Sequence, residues 1–288
     1  MKIRLLVASV VLLVLAGCAN KTPPEPPVAT ASLSFNRTRV PLGSPLEMKY
    51  RFVVSPRAGK FDADYYVFVH FLEAGSREMM WTDDHQPPVP TSQWKPGQTI
   101  EYTRTMFTPV YPYVGAATVE LGLYSPKAKR LTLSASDKGH QSYEMLKFEL
   151  LPQTENVFLI YKDGWHPTEV AADNPAMEWQ WTKKEATLAF RNPKRNVLFY
   201  LDAAGPSEPG DPPTVTVSIG DQVVDTFSPK GQMLRKVWLT AAQLGTAEMT
   251  EVRIGVDKTF IPALLPALKN PDPRELGIRV FHAFVEPQ

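Results

Sequence analysis

Short, strand-like runs recur along this chain, with most of its 28 prolines between them. Apolar and polar residues alternate in "LEMKYRFVV" (46–54) and "TIEYTRTMF" (99–107), while aromatic and β-branched residues dominate "DYYVFVHFLE" (64–73) and "IRVFHAFVE" (278–286). Alternation with a period of two is typical of half-buried β-strands, and proline lacks the amide hydrogen that a strand ladder needs. Helical periodicity is weak, and only "TAAQLGTAEM" (240–249) suits a short helical turn. The chain is therefore predicted to be all-β.

The strand-like runs are too many for one sandwich, which predicts two β-sandwich domains in tandem. The first, over residues 32–152, is expected to be immunoglobulin-like. The second, over residues 153–288, is expected to be a jelly roll or a carbohydrate-binding-like sandwich. The boundary is placed near Pro152-Gln153-Thr154, where the strand pattern stops before resuming in "NVFLIYKD".

The first residues indicate export and lipidation. Lys2 and Arg4 precede an apolar run, Leu5 to Leu15, that is about 17 Å long as a helix, against a hydrocarbon core of about 30 Å. This predicts a signal peptide over residues 1–17. The motif Leu15-Ala16-Gly17-Cys18 resembles the lipobox of bacterial lipoproteins, which implies cleavage before Cys18 and acylation of that cysteine. The alternative is an ordinary signal peptide with a chance cysteine.

Residues 18–31 are expected to form a lipid anchor and a tether. Cys18 is the only cysteine, so no internal disulfide can form. The segment "NKTPPEPPVATAS" (20–32) is rich in proline and is predicted to be extended. Two or more acyl chains hold a protein stably on a membrane. Ala19 stands where lipoproteins of the inner membrane typically carry aspartate, so the resemblance implies the outer membrane of a bacterial envelope, facing the periplasm.

The charge of the chain gives no indication of a nucleic-acid partner. Removal of residues 1–17 takes away two of the 31 basic residues, and 31 − 2 = 29 then stand against 30 acidic ones. No run of lysine and arginine is present, so nucleic acid is excluded as an expected partner.

The stretch "TDDHQPPVPTSQWKPGQ" (82–98) suggests two alternatives. Asp83, Asp84 and His85, with His70 on the preceding strand, form one candidate metal site. Adjacent strand residues point to opposite faces, however, and no further cluster completes a ligand shell. A stiff loop is therefore the favoured interpretation, with Trp94 as its apolar plug.

Signatures of catalysis are missing from the sequence. It contains no H-E-x-x-H, G-x-S-x-G, G-x-x-x-x-G-K-[ST] or G-x-G-x-x-G. Acylation of Cys18 would remove the only thiol nucleophile. A carboxylate pair for glycoside hydrolysis cannot be recognised from sequence alone. The chain is predicted to be non-catalytic, with no cofactor and no required metal.

The second half offers candidate ligand-binding residues. Aromatic rings stack on sugar rings, and carboxylates or arginines bind hydroxyl groups. On this basis the candidates are Trp165, His166, Glu169, Trp179, Trp181, Asp272 and Arg274. Trp179 and Trp181 share one face of a predicted strand. The alternatives are that both fill the sandwich core, which is favoured, and that Asp272 and Arg274 form an internal salt bridge. Trp165, on a turn, is the preferred stacking residue.

Each half of the chain contains sequence motifs that resemble those of a known type of domain. "VFVHFLEAGSREMMWTDDHQPPVPTSQWKPGQTI" and "VELGLYSPKAKRLTL" resemble soluble sandwich domains of bacterial membrane glycosyltransferases of the mannosyltransferase type. "DGWHPTE", "EWQWTKKEATLAF" and "DPRELGIRVFHAF" resemble an accessory β-sandwich of cell-envelope glycan proteins. The chain lacks the multi-span glycosyltransferase part. The resemblance implies a lipid-anchored protein that binds envelope carbohydrate. The alternatives are an assembly lipoprotein that binds a protein partner and a glycan-processing enzyme.

Overall fold

The computed structural model describes residues 25–153, 159–172, 174, 177–206 and 211–288. The signal peptide, Cys18 and the first part of the tether lie outside the described residues. Strands dominate the described chain, and its α-helix is the short α1 (Ala241–Leu244), inside the run where a helical turn is predicted. The prediction of an all-β chain is confirmed.

Eleven strands form two facing sheets in the first half, here named the N-terminal sandwich. These are β1 (Ala29–Phe35), β2 (Arg39–Pro41), β3 (Pro45–Val54), β4 (Tyr66–Glu73), β5 (Met79–Thr82), β6 (Thr99–Phe107), β7 (Gly115–Ser125), β8 (Ala128–Leu131), β9 (Leu133–Ser134), β10 (Ser136–Asp137) and β11 (Tyr143–Leu151). One sheet has the order β6-β3-β1-β9 and the other the order β10-β11-β7-β4-β5.

The pairing in the N-terminal sandwich is immunoglobulin-like. The first strand pairs antiparallel with β3, the chain then crosses to the other sheet, and β2 runs parallel to the last strand, β11. The remaining pairs are β3 with β6, β4 with β7, and β7 with β11. Strand β1 begins at Ala29, inside the segment predicted as tether, because Ala29, Ala31 and Leu33 alternate inward and are buried.

The described residues of the second half, here named the C-terminal sandwich, form ten strands. These are β12 (Ile160–Tyr161), β13 (Glu169–Val170), β14 (Glu178–Trp181), β15 (Glu185–Arg191), β16 (Val197–Ala204), β17 (Val215–Ile219), β18 (Gln222–Phe227), β19 (Met233–Leu239), β20 (Met249–Val256) and β21 (Arg279–Pro287). The two sheets have the orders β12-β15-β20-β17-β18 and β13-β14-β21-β16-β19.

The C-terminal sandwich has the nested pairing of a jelly roll. Strand β14 pairs with β21, β15 with β20, β16 with β19 and β17 with β18. Four antiparallel pairs nested in this way divide eight strands between two sheets, which is the jelly-roll arrangement. The prediction of a β-sandwich for the second half is confirmed, and of its two expected forms the strand pairing is that of the jelly roll.

Each sandwich has its own hydrophobic core. One core gathers buried side chains between Ala29 and Leu150, and the other gathers those between Leu188 and Val285. A small set of contacts joins the sandwiches. Phe107 packs on Tyr200, Phe284 and His282, and ion pairs join Arg37 to Glu286 and Lys236 to Glu47, each with its closest nitrogen and oxygen atoms 2.6 Å apart.

We expect each sandwich to fold without the other, because the described contacts between them consist of one aromatic cluster and partly exposed ion pairs. Residues 25–152 and 153–288, produced separately, should each unfold in one cooperative transition followed by circular dichroism. Aggregation of both pieces would contradict the prediction and indicate an obligate interface.

Candidate functional site

A cleft of about 240 Å³ opens on the outer face of the sheet that contains β14 and β21. The side chains that line it belong to Glu169, Trp179, Trp181, Phe260, Pro262, Leu268, Asn270, Asp272, Arg274, Leu276 and Arg279. Five of the seven candidate ligand-binding residues are among them. The cleft thus combines residues that lie up to 110 positions apart in the chain (279 − 169 = 110).

The two tryptophans of β14 lie on the outer face of the sheet rather than in the sandwich core. Trp181 is the cross-strand partner of Arg279, while Ile278 and Val280, which alternate with Arg279, point into the core. Direct partners in an antiparallel pair lie on the same face. The favoured expectation that both rings fill the core therefore differs from the structure, although Trp181 is only 9% exposed and Trp179 is half-buried.

The segment of residues 257–277, which makes up nearly all of the chain between β20 and β21, covers these rings and forms the opposite wall of the cleft. It contains two 3₁₀ turns, Pro262–Leu264 and Pro266–Leu268. Its two ends are joined by a bridge between Phe260 and Leu276. The ring of Phe260 meets that of Trp181 edge-on, with centroids 5.7 Å apart. This segment, the covering loop, explains how an outer-face tryptophan becomes buried.

An arginine flanked by two carboxylates ties the covering loop to the edge strand β13. The guanidinium of Arg274 donates hydrogen bonds to both oxygens of Asp272, at 2.6–3.0 Å, and to Glu169 Oε1 at 2.6 Å. The hydrogen bond from Arg274 lowers the pKa of Asp272, and the carboxylates raise the pKa of Arg274. The predicted salt bridge is thus present and lies at the cleft.

A second guanidinium lies among aromatic rings. The Cζ atom of Arg279 is 5.6–5.8 Å from the ring centroids of Trp179, Trp181 and Phe281. Cations at this distance are attracted to the ring faces. Burial lowers the pKa of Arg279. The lining charges cancel, because two arginines stand against Glu169 and Asp272.

Trp165 and His166 lie outside the cleft. The indole of Trp165 packs against the second core and donates a hydrogen bond to the Thr187 carbonyl at 2.9 Å. His166 is buried, and its Nε2 donates to the carbonyl of Glu275 at 2.7 Å. Neither position fits the expected ligand-binding role, because both side chains are used to hold the covering loop or the sheet. Trp165 is half-buried, so its turn position does not make it a freely exposed stacking face.

The glycine of the "DGW" word is required by close backbone packing. Gly164 has a φ of +85°, and a Cβ atom there would lie 1.9 Å from the carbonyl oxygen of Glu185. Its own carbonyl accepts a hydrogen bond from the Lys183 amide at 2.8 Å. This turn presses against the start of β15, which fixes Trp165 and His166 in place.

The stretch 82–98 is a connection with a buried polar network. Asp83 accepts two hydrogen bonds from the guanidinium of Arg104, at 2.8 and 3.0 Å, and lies near the hydroxyl of Tyr50. Asp84 points elsewhere and accepts from the Val69 amide. His85 Nε2 lies 2.8 Å from the Tyr102 hydroxyl, and burial lowers the pKa of this histidine.

These side chains separate rather than converge on one point. Among the described residues, no group of three or more His, Cys, Asp or Glu side chains is arranged to hold a metal ion. Trp94 is buried between Phe52 and Phe61, as expected of an apolar plug.

The described chain also has no helix that is long and apolar enough to cross a membrane.

The cleft residues Phe260, Asn270 and Arg279 are not among those predicted from the sequence. The alternation in "GIRVFHAF" places Arg279 and Phe281 on the face opposite Val280, but their proximity to Trp179 and Trp181 depends on the β14–β21 register. Phe260 and Asn270 belong to the covering loop, whose path has no periodic signal. The register of β14 against β21 is a tertiary feature, so the alternation in the sequence could not by itself place Arg279 in the cleft.

Comparisons with known proteins give no assignment. No family model matches the chain, and no curated protein sequence matches it. Solved structures match it only weakly. Three of them are the secreted serine protease VesC from Vibrio cholerae (11% identity, TM-score 0.26, 89% of this chain and 51% of that chain), a superoxide reductase (neelaredoxin) from Ignicoccus hospitalis (13%, 0.22, 43% and 80%) and the mosquito-larvicidal Cry4Aa toxin from Bacillus thuringiensis (6%, 0.29, 90% and 52%).

The chain spans about half the length of the first of these structures. At TM-scores this low, none of the three bears on the function. The resemblance to accessory domains of glycosyltransferases stays a prediction.

Proposed function

We propose that this protein is a non-catalytic, lipid-anchored protein of the bacterial envelope that binds carbohydrate through the cleft of its C-terminal sandwich. The observation that carries the proposal is the composition of the cleft. Aromatic rings of Trp179, Trp181 and Phe260 lie beside the hydrogen-bonding groups of Asn270 and Asp272. A concave site with apolar walls and a few polar groups suits a small ligand. Aromatic faces beside carboxylate and amide groups suit a polyol.

The carboxylates of the cleft favour binding over hydrolysis. A glycosidase needs one carboxyl group that stays protonated to act as general acid. Asp272 and Glu169 both accept hydrogen bonds from Arg274, and the pKa of Asp272 is lowered. Arginine contacts favour the anionic form of a carboxyl group. Asp272 therefore serves better as a hydrogen-bond acceptor for sugar hydroxyls than as an acid.

Binding should depend on Trp179, which is half-buried at the cleft. Trp179→Ala removes a stacking face, so the affinity for a bound polysaccharide should fall at least tenfold, or about 1.4 kcal/mol. The measurement is retention on a glycan array of bacterial envelope polysaccharides, using residues 18–288 with Cys18→Ser.

The matched control is Trp238→Ala. Trp238 is 52% exposed on β19 of the same sheet and does not line the cleft. Its replacement should leave retention unchanged. Equal losses in the two variants, or no loss in either, would contradict the proposed site.

We also propose that acylated Cys18 anchors the protein in the outer membrane. The support is the lipobox-like word that follows an apolar run too short to span a bilayer. A fatty-acid probe should label the wild-type protein in bacterial cells, and Cys18→Ser should abolish labelling and release the protein from membranes. An unlabelled, soluble wild-type protein would contradict the anchor.

A further inference from the structure

We infer that the ligand is a neutral polysaccharide chain that runs from the cleft, across β21, into a groove between the two sandwiches. The inference rests on the proposed function and extends it. It assigns a second contact region, which lies outside the cleft, and a ligand of several linked sugars rather than one.

The groove between the sandwiches, here named the inter-sandwich groove, encloses about 430 Å³. Its lining residues come from the end of β6 and, on the other side, from β16, β21, the start of β19 and the residue before β19. They are Arg104, Thr105, Met106, Phe107, Asp202, Gln232, Met233, Leu234 and His282. Both sandwiches therefore contribute to this groove.

The cleft and the groove lie on the same face of one sheet. Arg279 lines the cleft and His282 lines the groove, and both belong to β21. Three residues along a strand span about 10 Å. Strict alternation would place Arg279 and His282 on opposite faces. A bulge resolves this, because Asp202 pairs with His282 while the next residue, Ala203, pairs with Val280.

The residue left out by this bulge, Phe281, lies between the two regions. Its ring centroid is 6.1 Å from that of Trp179 and it is partly exposed. Bulges re-aim side chains locally. Here the bulge lets Phe281 and His282 both face outward, so an aromatic surface continues from Trp179 toward the groove.

The groove offers the same combination of groups as the cleft. Phe107 and His282 are stacked, with ring centroids 4.6 Å apart and planes within 8°. Beside them, Gln232 donates a hydrogen bond to Asp202 Oδ2 at 2.9 Å. Amide and carboxylate groups next to a ring surface suit sugar hydroxyls, as they do in the cleft.

The charges of both regions favour a neutral polymer. In the cleft, two arginines and two carboxylates cancel, and in the groove Arg104 is already paired with Asp83, so that the carboxylate of Asp202 is not offset by it. A polyanion would gain no net attraction from either region and would meet carboxylates in both. A chain of linked neutral sugars needs no net positive charge in either region, and it is long enough to extend over the distance of about 10 Å between Arg279 and His282.

The test compares chain lengths by isothermal titration calorimetry on residues 18–288 with Cys18→Ser. The probes are disaccharides, tetrasaccharides and octasaccharides of neutral glucan and mannan, with oligogalacturonate of matched length as the acidic control. Affinity should rise with length, and the acidic series should bind at least tenfold more weakly. His282→Ala should weaken octasaccharide binding at least tenfold and leave disaccharide binding unchanged.

Gln232→Ala is a second groove variant. Because Gln232 is exposed, its replacement leaves the packing of the groove unchanged, which His282→Ala does not guarantee. It should also weaken octasaccharide binding selectively. Trp179→Ala should weaken all lengths. If Trp179→Ala weakens binding but disaccharide and octasaccharide bind equally, and neither groove variant matters, the polymer inference is overturned while the proposed function stands. Absence of binding to every neutral probe would overturn both.

Discussion

Gly164→Ala should destabilise the C-terminal sandwich by about 2–5 kcal/mol, the sum of a left-handed backbone penalty of about 1–2 kcal/mol and an overpacking cost of about 1–3 kcal/mol. The added Cβ would lie 1.9 Å from the Glu185 carbonyl oxygen and 2.6 Å from Ala186 Cα. Both obstacles are backbone atoms of β15, which pairs along its length with β20. Neither can rotate away, so the turn or the strand has to move.

Gly220→Ala is the matched control. Gly220 also has a positive φ, +56°, but no atom lies within 4 Å of a Cβ built there. It should cost only the backbone penalty, about 1 kcal/mol. Urea unfolding of residues 153–288, or of the whole chain if that piece does not fold, measures both variants. A loss for Gly164→Ala no larger than for Gly220→Ala would show that the turn does not press on β15 as described.

Asp83→Asn should destabilise the N-terminal sandwich by about 2–3 kcal/mol. The side chain of Asp83 is 11% exposed and receives two hydrogen bonds from Arg104. Asparagine keeps the volume but removes the charge and turns an amide group toward the guanidinium. Arg104 is 37% exposed, so solvent relieves part of the cost and keeps the effect below that of a fully buried pair.

The control is Glu149→Gln, which breaks the exposed pair with Arg39 in the same sandwich. Exposed pairs contribute about 0–1 kcal/mol, so this variant should be close to wild type in thermal unfolding. The double variant Asp83→Asn with Arg104→Met should recover part of the loss, because it removes the uncompensated cation. Equal stability of the Asp83→Asn and Glu149→Gln variants would contradict a structural role for the Asp83–Arg104 pair.

The candidate site could be predicted only in part. The sequence named five residues of the cleft, because tryptophan and charged residues in the second half are informative by type alone. It placed the stacking face at Trp165, since a tryptophan after glycine suggests an exposed turn. In the structure, the side chain of Trp165 packs against the core of the C-terminal sandwich, and its indole nitrogen donates a hydrogen bond to the Thr187 carbonyl. A turn residue is exposed only if no strand packs against it. Strand β15 packs against the turn that contains Trp165.

Alternation by itself determined that this chain is all-β and that Trp179 and Trp181 share one face, because side chains on a strand repeat every two residues. Only the tertiary structure decided that this face is the outer one. The covering loop places Phe260 and Leu276 over the outer face, so the tryptophans are covered there while the polar Gln180 lies on the opposite face. Likewise, Arg274 meets Glu169 across 105 positions only because β14 pairs with both β13 and β21, which brings the edge strand near the end of the covering loop.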